Sequence, residues 1–385
     1  MAVSRFAAIN AGSYELMLKI YEISAGKKVR ILDNVRYVME LGRETYTEKK
    51  VSFETIEKMC DILEKFTKVL EEYQVTDYVA VATSGIREAE NAEIIVDRIK
   101  VRTGLNVRLI SNSEQRLYTY KALAMYPEEY EAFSKGNTAI LDVGAGSIQI
   151  SMMDKKNIAS TQNIKIGSMR IRELLLNLSE NMKHFDTLLD ELINNDLQTF
   201  KRMFIKDKAI DNIIATGEQI TLFTKNKNTG DFDRLMTTED FMGRYKQLNT
   251  KSQDELAKEL QVTSEQATIL IPCARIYGRF IEVVGCKNLW VPGTDICDGV
   301  AMDYAMSRKK IMDKHNFDED ILNEVRGISK RYKGNTVHIQ FVRSLAVQIF
   351  DVTKKIHGLS KRERLILELA AMLHDCGKYI SIHNA

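Results

Sequence analysis

Along the chain, short continuous apolar runs bounded by turn residues alternate with longer stretches in which apolar positions recur every three or four residues. That alternation predicts an α/β fold. Thr138 to Val143 is a β-rich apolar run, Gly144-Ala145-Gly146-Ser147 a tight turn, and Ile148 to Met153 a second run, so Asn137 to Met153 predicts a β-hairpin. Phe6 to Ile20 has the same layout of apolar run, Gly-Ser turn and apolar run. Asn10 falls in register with Asp142, and Gly12 with Gly144, roughly 130 residues further on. A duplicated domain leaves this kind of repeat, with its two turns facing each other across a cleft in which a phosphate chain could lie. The glycines leave backbone N–H groups uncovered, and Asp142 precedes the second turn, where it could hold a cation beside a bound phosphate.

The other elements follow from the same pattern. A strand is expected from Val29 to Leu41, then a helix opened by Ser52 with Ile56, Met59, Ile62, Leu63, Phe66 and Leu70 at helical spacing. Tyr78 to Ala82 is a buried-type strand that ends at Thr83-Ser84-Gly85, before a helix carrying Arg87. A strand running into a helix N-terminus is a natural anion site. Val107 to Ile110 is a strand, and Ser111 to Glu114 reads as a capping box for a helix from Gln115 to Tyr126, which gives Glu114 a structural task. A charged amphipathic helical region runs to about Lys206, Ile213 to Gly217 is a strand entering a turn, and Lys225 to Gly230 is an exposed loop. Ser252 to Val284 is mostly helical, Leu289 to Val291 is a strand, and Asp298-Gly299 opens the next helix. Lys309, Lys310 and the residues around Asp318 to Asp320 form a polar stretch suited to a linker. Beyond it the pattern is helical throughout.

Composition narrows the partners. With 55 Lys+Arg against 53 Asp+Glu the net charge is +2, so no global field favours nucleic acid or an anionic membrane, and a polyanion must be held by local groups. The 385 residues suit two or three domains. Five scattered cysteines without a Cys-x-x-Cys pair fit free thiols in a reducing cytosol. There is neither a signal-peptide pattern nor an apolar run of ~18 residues, so a soluble, cytoplasmic protein is expected.

The paired loops, together with Ala82 to Asn91 (ATSGIREAEN), Ile110 to Gln115 (ISNSEQ), Ala215 to Gln219 (ATGEQ) and Asp295 to Gly299 (DICDG), resemble the exopolyphosphatase / guanosine pentaphosphate phosphohydrolase (Ppx/GppA) family. The resemblance covers about residues 5 to 305, and Ile166 to Arg170 is similar to that family's Leu-Gly-x-x-Arg loop. It implies two ribonuclease-H-like domains of the actin, Hsp70 and sugar-kinase superfamily, residues 1–125 and 126–305, facing across a cleft. It also implies polyphosphate or guanosine penta- or tetraphosphate as ligand, Mg²⁺ as cofactor, Asp142 as a metal ligand, and a homodimer. Gly12, Ser13, Arg87, Gly144, Gly146, Ser147 and Gly217 take the family's phosphate-binding positions. In residues 316–385, His338 and the adjacent His374-Asp375 resemble the HD phosphohydrolase superfamily, whose pattern is His…His-Asp…Asp around a divalent metal. The chain reaches Ala385 before any distal Asp, so this part is expected to be the start of a helical HD-like domain whose metal site needs the rest.

For hydrolysis of a phosphoanhydride the resemblance implies two glutamates around an attacking water, with a divalent cation offsetting charge. Aligned on the family's motifs, those positions are Gln115 and Gln149 here, with Glu114 one helical step, ~100°, away from the first. An amide neither accepts a proton near neutral pH nor adds negative charge to hold a cation. Glu15, Ala145, Ile148, Glu218-Gln219 and Cys297 also depart from the family's pattern. Three readings follow. The chain is a catalytically impaired member with a ligand-sensing or scaffolding role; or an active exopolyphosphatase or guanosine pentaphosphate phosphohydrolase with altered groups; or its chemistry belongs to the completed HD domain.

Overall fold

The computed structural model describes residues 3–24, 29–154, 156–178, 185–205, 209–226, 229, 231–248, 251–308, 311 and 316–379. In the first unit, β1 (Val3–Ala11), β2 (Glu15–Ser24) and β3 (Arg30–Val38) run antiparallel. β4 (Asp77–Ala82) and β5 (Val107–Leu109) join in parallel on the far side of β1, giving the order β3-β2-β1-β4-β5. β1 is buried on both faces because its side chains alternate between two helical layers. Ala7, Ile9 and Ala11 face α2 (Phe53–Glu72) and its neighbours, whereas Phe6 and Ala8 face the opposite layer. α2 is started by Ser52, whose hydroxyl accepts from Thr55 N, and it buries Ile56, Met59, Leu63, Phe66 and Leu70. Between β3 and α2 the chain forms α1 (Leu41–Glu48); between β4 and β5 it forms the single turn α3 (Ser84–Arg87) and α4 (Ala92–Thr103).

α5 (Asn112–Leu123) and α6 (Pro127–Ser134) lead into the second sheet. There β6 (Thr138–Val143), β7 (Ile148–Asp154) and β8 (Asn157–Ile164) are antiparallel and β9 (Asn212–Thr216) is parallel to β6. With β10 (Leu235–Thr237) and β11 (Asn288–Trp290) the order is β10-β11-β9-β6-β7-β8. Apart from the edge strand β10, this repeats the plan of the first sheet, as the repeated hairpin predicts, and the pair makes the ribonuclease-H-like, actin-like two-domain fold that the family resemblance implies. The second unit's helices are α7 (Ser168–Leu178), α8 (Phe185–Phe200), α9 (Glu218–Phe223), α10 (Thr238–Leu248), α11 (Gln253–Leu260) and α12 (Ser264–Val284).

α13 (Ile296–Ser307) starts three residues earlier than Asp298-Gly299 suggests, because Asp295 is its cap and Asp298 is the return partner of a capping box. It also crosses back. Cys297, Val300, Ala301, Met302 and Ala305 pack with Phe6, Ala8, Met17 and Tyr21, so the end of the 126–305 segment lies in the first unit. Three other expectations shift for local reasons. The capping box at Ser111 and Glu114 makes Asn112 the first helical residue, and α5 ends at Leu123 rather than Tyr126. The strand expected to reach Leu41 stops at Val38, and Leu41 opens α1. Asp318, Glu319 and Asp320 are not a linker but the acidic first turn of α14 (Phe317–Arg331), where they suit the positive end of a helix. Lys309 and Lys310 lie outside the described residues, as does part of the loop from Lys225 to Gly230. α15 (Thr336–His357) and α16 (Lys361–Leu373) complete an all-helical C-terminal segment.

Candidate functional site

The two turns meet. Each is closed by the same bond, Gly12 N to Glu15 O at 2.9 Å and Gly144 N to Ser147 O at 3.0 Å. Between them lies a cavity of about 150 Å³ lined by Gly12, Ser13, Gln115, Asp142, Gly144, Gly146, Ser147 and Gly217, among others. That is below the ~300 Å³ at which small-molecule sites usually begin, so little room is left between the two loops. Gly217 is required where it is, since its φ is 115° and a Cβ there would lie 2.8 Å from Val143 O.

Asp142 belongs to a row of four residues paired across the sheet, Asn163, Gln149, Asp142 and Thr216, all on one face. α5 covers that face through Arg116 to Thr161 (2.6 Å), Thr119 to Asp142 (3.5 Å) and Tyr120 to Ser151 (2.5 Å). Burial raises the Asp142 carboxyl above its ordinary range, against the Thr216 and Thr119 hydroxyls, which favour the charged form. Gln115 faces the cavity. Gln149 does not: it sits beside Asp142, 2% exposed, and neither amide atom has a hydrogen-bond partner among the described residues. Glu114 is occupied as a cap, accepting from Ser111 N at 2.9 Å, and is paired with Arg108. Arg87 points away from the cavity; its guanidinium donates to Ile110 O and Asn112 Oδ1, both at 2.5 Å. Thus the structure brings the glycine loops, Ser13, Ser147, Asp142 and Gln115 together and leaves Arg87 and Glu114 outside.

The electrostatics of the cleft are acidic. Glu15, Asp142, Glu218 and Asp295 line it, and no Lys or Arg does among the described residues. Burial, reinforced by Glu218 alongside, pushes the Glu15 carboxyl up to about 9. Just behind, Arg36 pairs with Glu218 and with Asp295 (3.3 Å) and Glu15 (3.4 Å). The buried Lys19 is held by Asp295 at 2.6 Å and Asp298 at 2.9 Å, and Tyr21 donates to Asp298 at 2.8 Å. A lysine interrupting the apolar run of β2 is a signal the sequence offered for this cluster.

The far wall is latched across the units. Arg170 pairs with Glu88 (2.8 Å), donates to Gly146 O (3.0 Å) and lies over the Tyr46 ring at 4.0 Å; Arg172 pairs with Glu40. Tyr14, Met169 and Ile269, with Tyr46 and Ala145 against them, form an apolar cluster spanning both units. No local motif marks Tyr46 in the sequence, because its neighbours come from residues 13, 84 and 146.

In the C-terminal segment the structure brings His338, His374 and Asp375 together. One ligand atom from each lies within 4.8 Å of the others, and the two Nε2 atoms are 3.1 Å apart. His374 Nδ1 is 2.7 Å from Ala371 O, which orients Nε2 toward the cluster. Lys378, 2.7 Å away, holds the Asp375 carboxyl below its usual range, with His374 adding to the effect.

Comparison with known proteins gives concordant results. Residues 19–306 match the Ppx/GppA phosphatase family. Exopolyphosphatase 1 of Mycobacterium tuberculosis is 22% identical over 147 residues, 38% of this chain and 42% of that protein. The guanosine-5'-triphosphate,3'-diphosphate pyrophosphatase of Photobacterium profundum is 19% identical over 385 residues, 99% of this chain and 74% of its own length. Among solved structures, the Aquifex aeolicus Ppx/GppA family member superposes with a TM-score of 0.65 at 22% identity, covering 82% of this chain and all of that one. An exopolyphosphatase from Cytophaga hutchinsonii reaches a TM-score of 0.67 at 19% identity, covering 79% of this chain and 97% of its own.

Proposed function

Since the chain belongs to the Ppx/GppA phosphatase family, we propose that it is a catalytically impaired phosphohydrolase whose cleft has a ligand-sensing or scaffolding role. One observation carries this reading: amides stand at both expected glutamate positions, Gln115 in the lining of the cleft and Gln149 buried beside Asp142, while four carboxylates and, among the described residues, no cation line the cleft. General-base catalysis contributes about 10²–10⁴ in rate, and an amide supplies none of it. A polyphosphate or guanosine penta- or tetraphosphate would meet carboxyl groups and no lining cation, with Glu15 neutral and Arg36 already taken by Glu218 and Asp295, so it would need a cation of its own. Mg²⁺ would be held by Asp142 as the one carboxylate in the Asn163-Gln149-Asp142-Thr216 row, with ligand phosphates completing its shell.

The test is phosphate release from polyphosphate and guanosine pentaphosphate with Mg²⁺ present. The expected result is no release above background, with at most a partial gain on replacing Gln115 and Gln149 by Glu together. Brisk turnover lost on Asp142→Ala would instead establish an active exopolyphosphatase or pentaphosphate hydrolase.

A second reading is favoured by the His338, His374 and Asp375 cluster. It is the start of an HD-type divalent-metal site, and zinc or manganese binding lost on His374→Ala would support it. The family's homodimer and a cytoplasmic location belong to the same proposal. Five free cysteines accord with the latter, and no helix among the described residues is long and apolar enough to cross a membrane.

A further inference from the structure

Where the two loops meet, three hydroxyls converge. Ser13 Oγ lies 2.7 Å from Tyr46 Oη and 3.0 Å from Ser84 Oγ, and Tyr46 Oη lies 3.1 Å from Ser84 Oγ. Gly146 of the opposite unit closes the ring so tightly that a Cβ there would collide with Tyr46 Oη and stand 2.6 Å from Ser84 Oγ. The phenol oxygen therefore sits at a point bounded by two hydroxyls from the first unit and the backbone of the second unit's loop.

Two neutral hydroxyl donors thus surround one oxygen-sized position, with the Gly146 Cα closing its third side, and a phosphoryl oxygen could accept from both. Burial raises the Tyr46 hydroxyl above its ordinary pKa, so it stays a neutral group that can both donate and accept. Arg170 lies over its ring, anchored by Glu88 and Gly146 O, and would remain facing the space if the ring swung away. The segment that carries Tyr46 is flanked by Glu40 (φ 52°) and Lys49 (φ 65°), two non-glycine residues in the left-handed region. Such residues persist only where the surroundings hold them, so the fold maintains α1 and its tyrosine in this position at a local cost.

We propose that Tyr46 occupies the seat of a terminal phosphoryl group between Ser13, Ser84 and Gly146, and so determines which anions enter the cleft. This rests on the reading of the cleft as a phosphoanhydride site but not on its being catalytically silent. A chain with Tyr46 in place admits a phosphoanhydride only by displacing the phenol. That adds a gate, just behind the lining residues Ser13, Ser84 and Gly146, to the acidic cleft.

The experiment is binding of magnesium tripolyphosphate by titration calorimetry to the full chain, its Tyr46→Phe and Ser84→Ala variants and the double variant, each checked for an unchanged melting profile. Tyr46→Phe keeps the ring and removes the competing oxygen. It is expected to tighten binding about tenfold. Ser84→Ala in the Tyr46→Phe background is expected to cancel that gain, because Ser84 would then be a ligand of the phosphoryl group; general loosening would not depend on Ser84. Equal or weaker binding by Tyr46→Phe, or a gain that survives the loss of Ser84, overturns the proposal, as does absence of binding in every variant. Turnover measured in the same samples bears on the impaired-enzyme reading alone, so the two can fail separately.

Discussion

At the scale of single residues, the most consequential departure is a carboxylate where a phosphate site would want none. Glu15 binds its proton up to about pH 9, against an ordinary value of 4.5, because it is buried beside Glu218. The folded chain therefore keeps a proton that the unfolded chain has released, and stability from this group is complete below about 4.5 and lost as pH rises through about 9. Urea midpoints of the wild type should fall between pH 5 and 9, whereas Glu15→Gln, which holds its hydrogen at every pH, should be flatter over that range and more stable at its alkaline end. An unchanged slope in the variant would assign the titration elsewhere. The residues of the glycine loops were legible because their chemistry is local: Gly12, Gly144 and Asp142 are placed by turns that the sequence spells out over a few positions. Arg87 is the reverse case. Its spacing after Gly85 is that of the family, but its direction depends on Ile110 and Asn112, more than 20 residues on.

At the scale of elements, capping chemistry was readable and packing partners were not. The box at Ser111 and Glu114 and the helix opened by Ser52 follow from side-chain hydrogen bonds reaching two or three residues. α14 was missed because an acidic first turn looks the same as a charged linker until something accepts it. Here Asp320, 5% exposed, accepts from Ile158 N at 3.0 Å on β8, and Glu324 reaches Thr161 and Arg116. Asp320→Ala should leave that strand N–H buried without a partner, costing about 1–3 kcal/mol in chemical denaturation. Asp320→Asn keeps an acceptor and should recover most of it. Equal losses in both would mean that the negative charge, not the bond to β8, is what α14 contributes.

At the scale of the whole molecule, the duplication was visible in two hairpins and is realised in two sheets that share a five-strand order, the second with β10 added at its edge. The return of α13 to the first unit was not visible, since a helix's sequence reports which of its faces is apolar but not which layer it will meet. Lys19 in β2 and Asp298 in α13, 279 residues apart, settle that choice by a buried ion pair. A similar choice is made by α14. Its Asp320 and Glu324 are fastened to β8 and Arg116, while Leu322 and Val325 pack with Ile339, Leu365 and Met372 of the next two helices. One helix is thus shared between two cores, neither of which can lose it and stay intact. Heat-capacity scans should therefore show the second sheet and the C-terminal helices unfolding in one peak, and the Asp320→Ala change should split it, with the helices that carry His338 and His374 melting first.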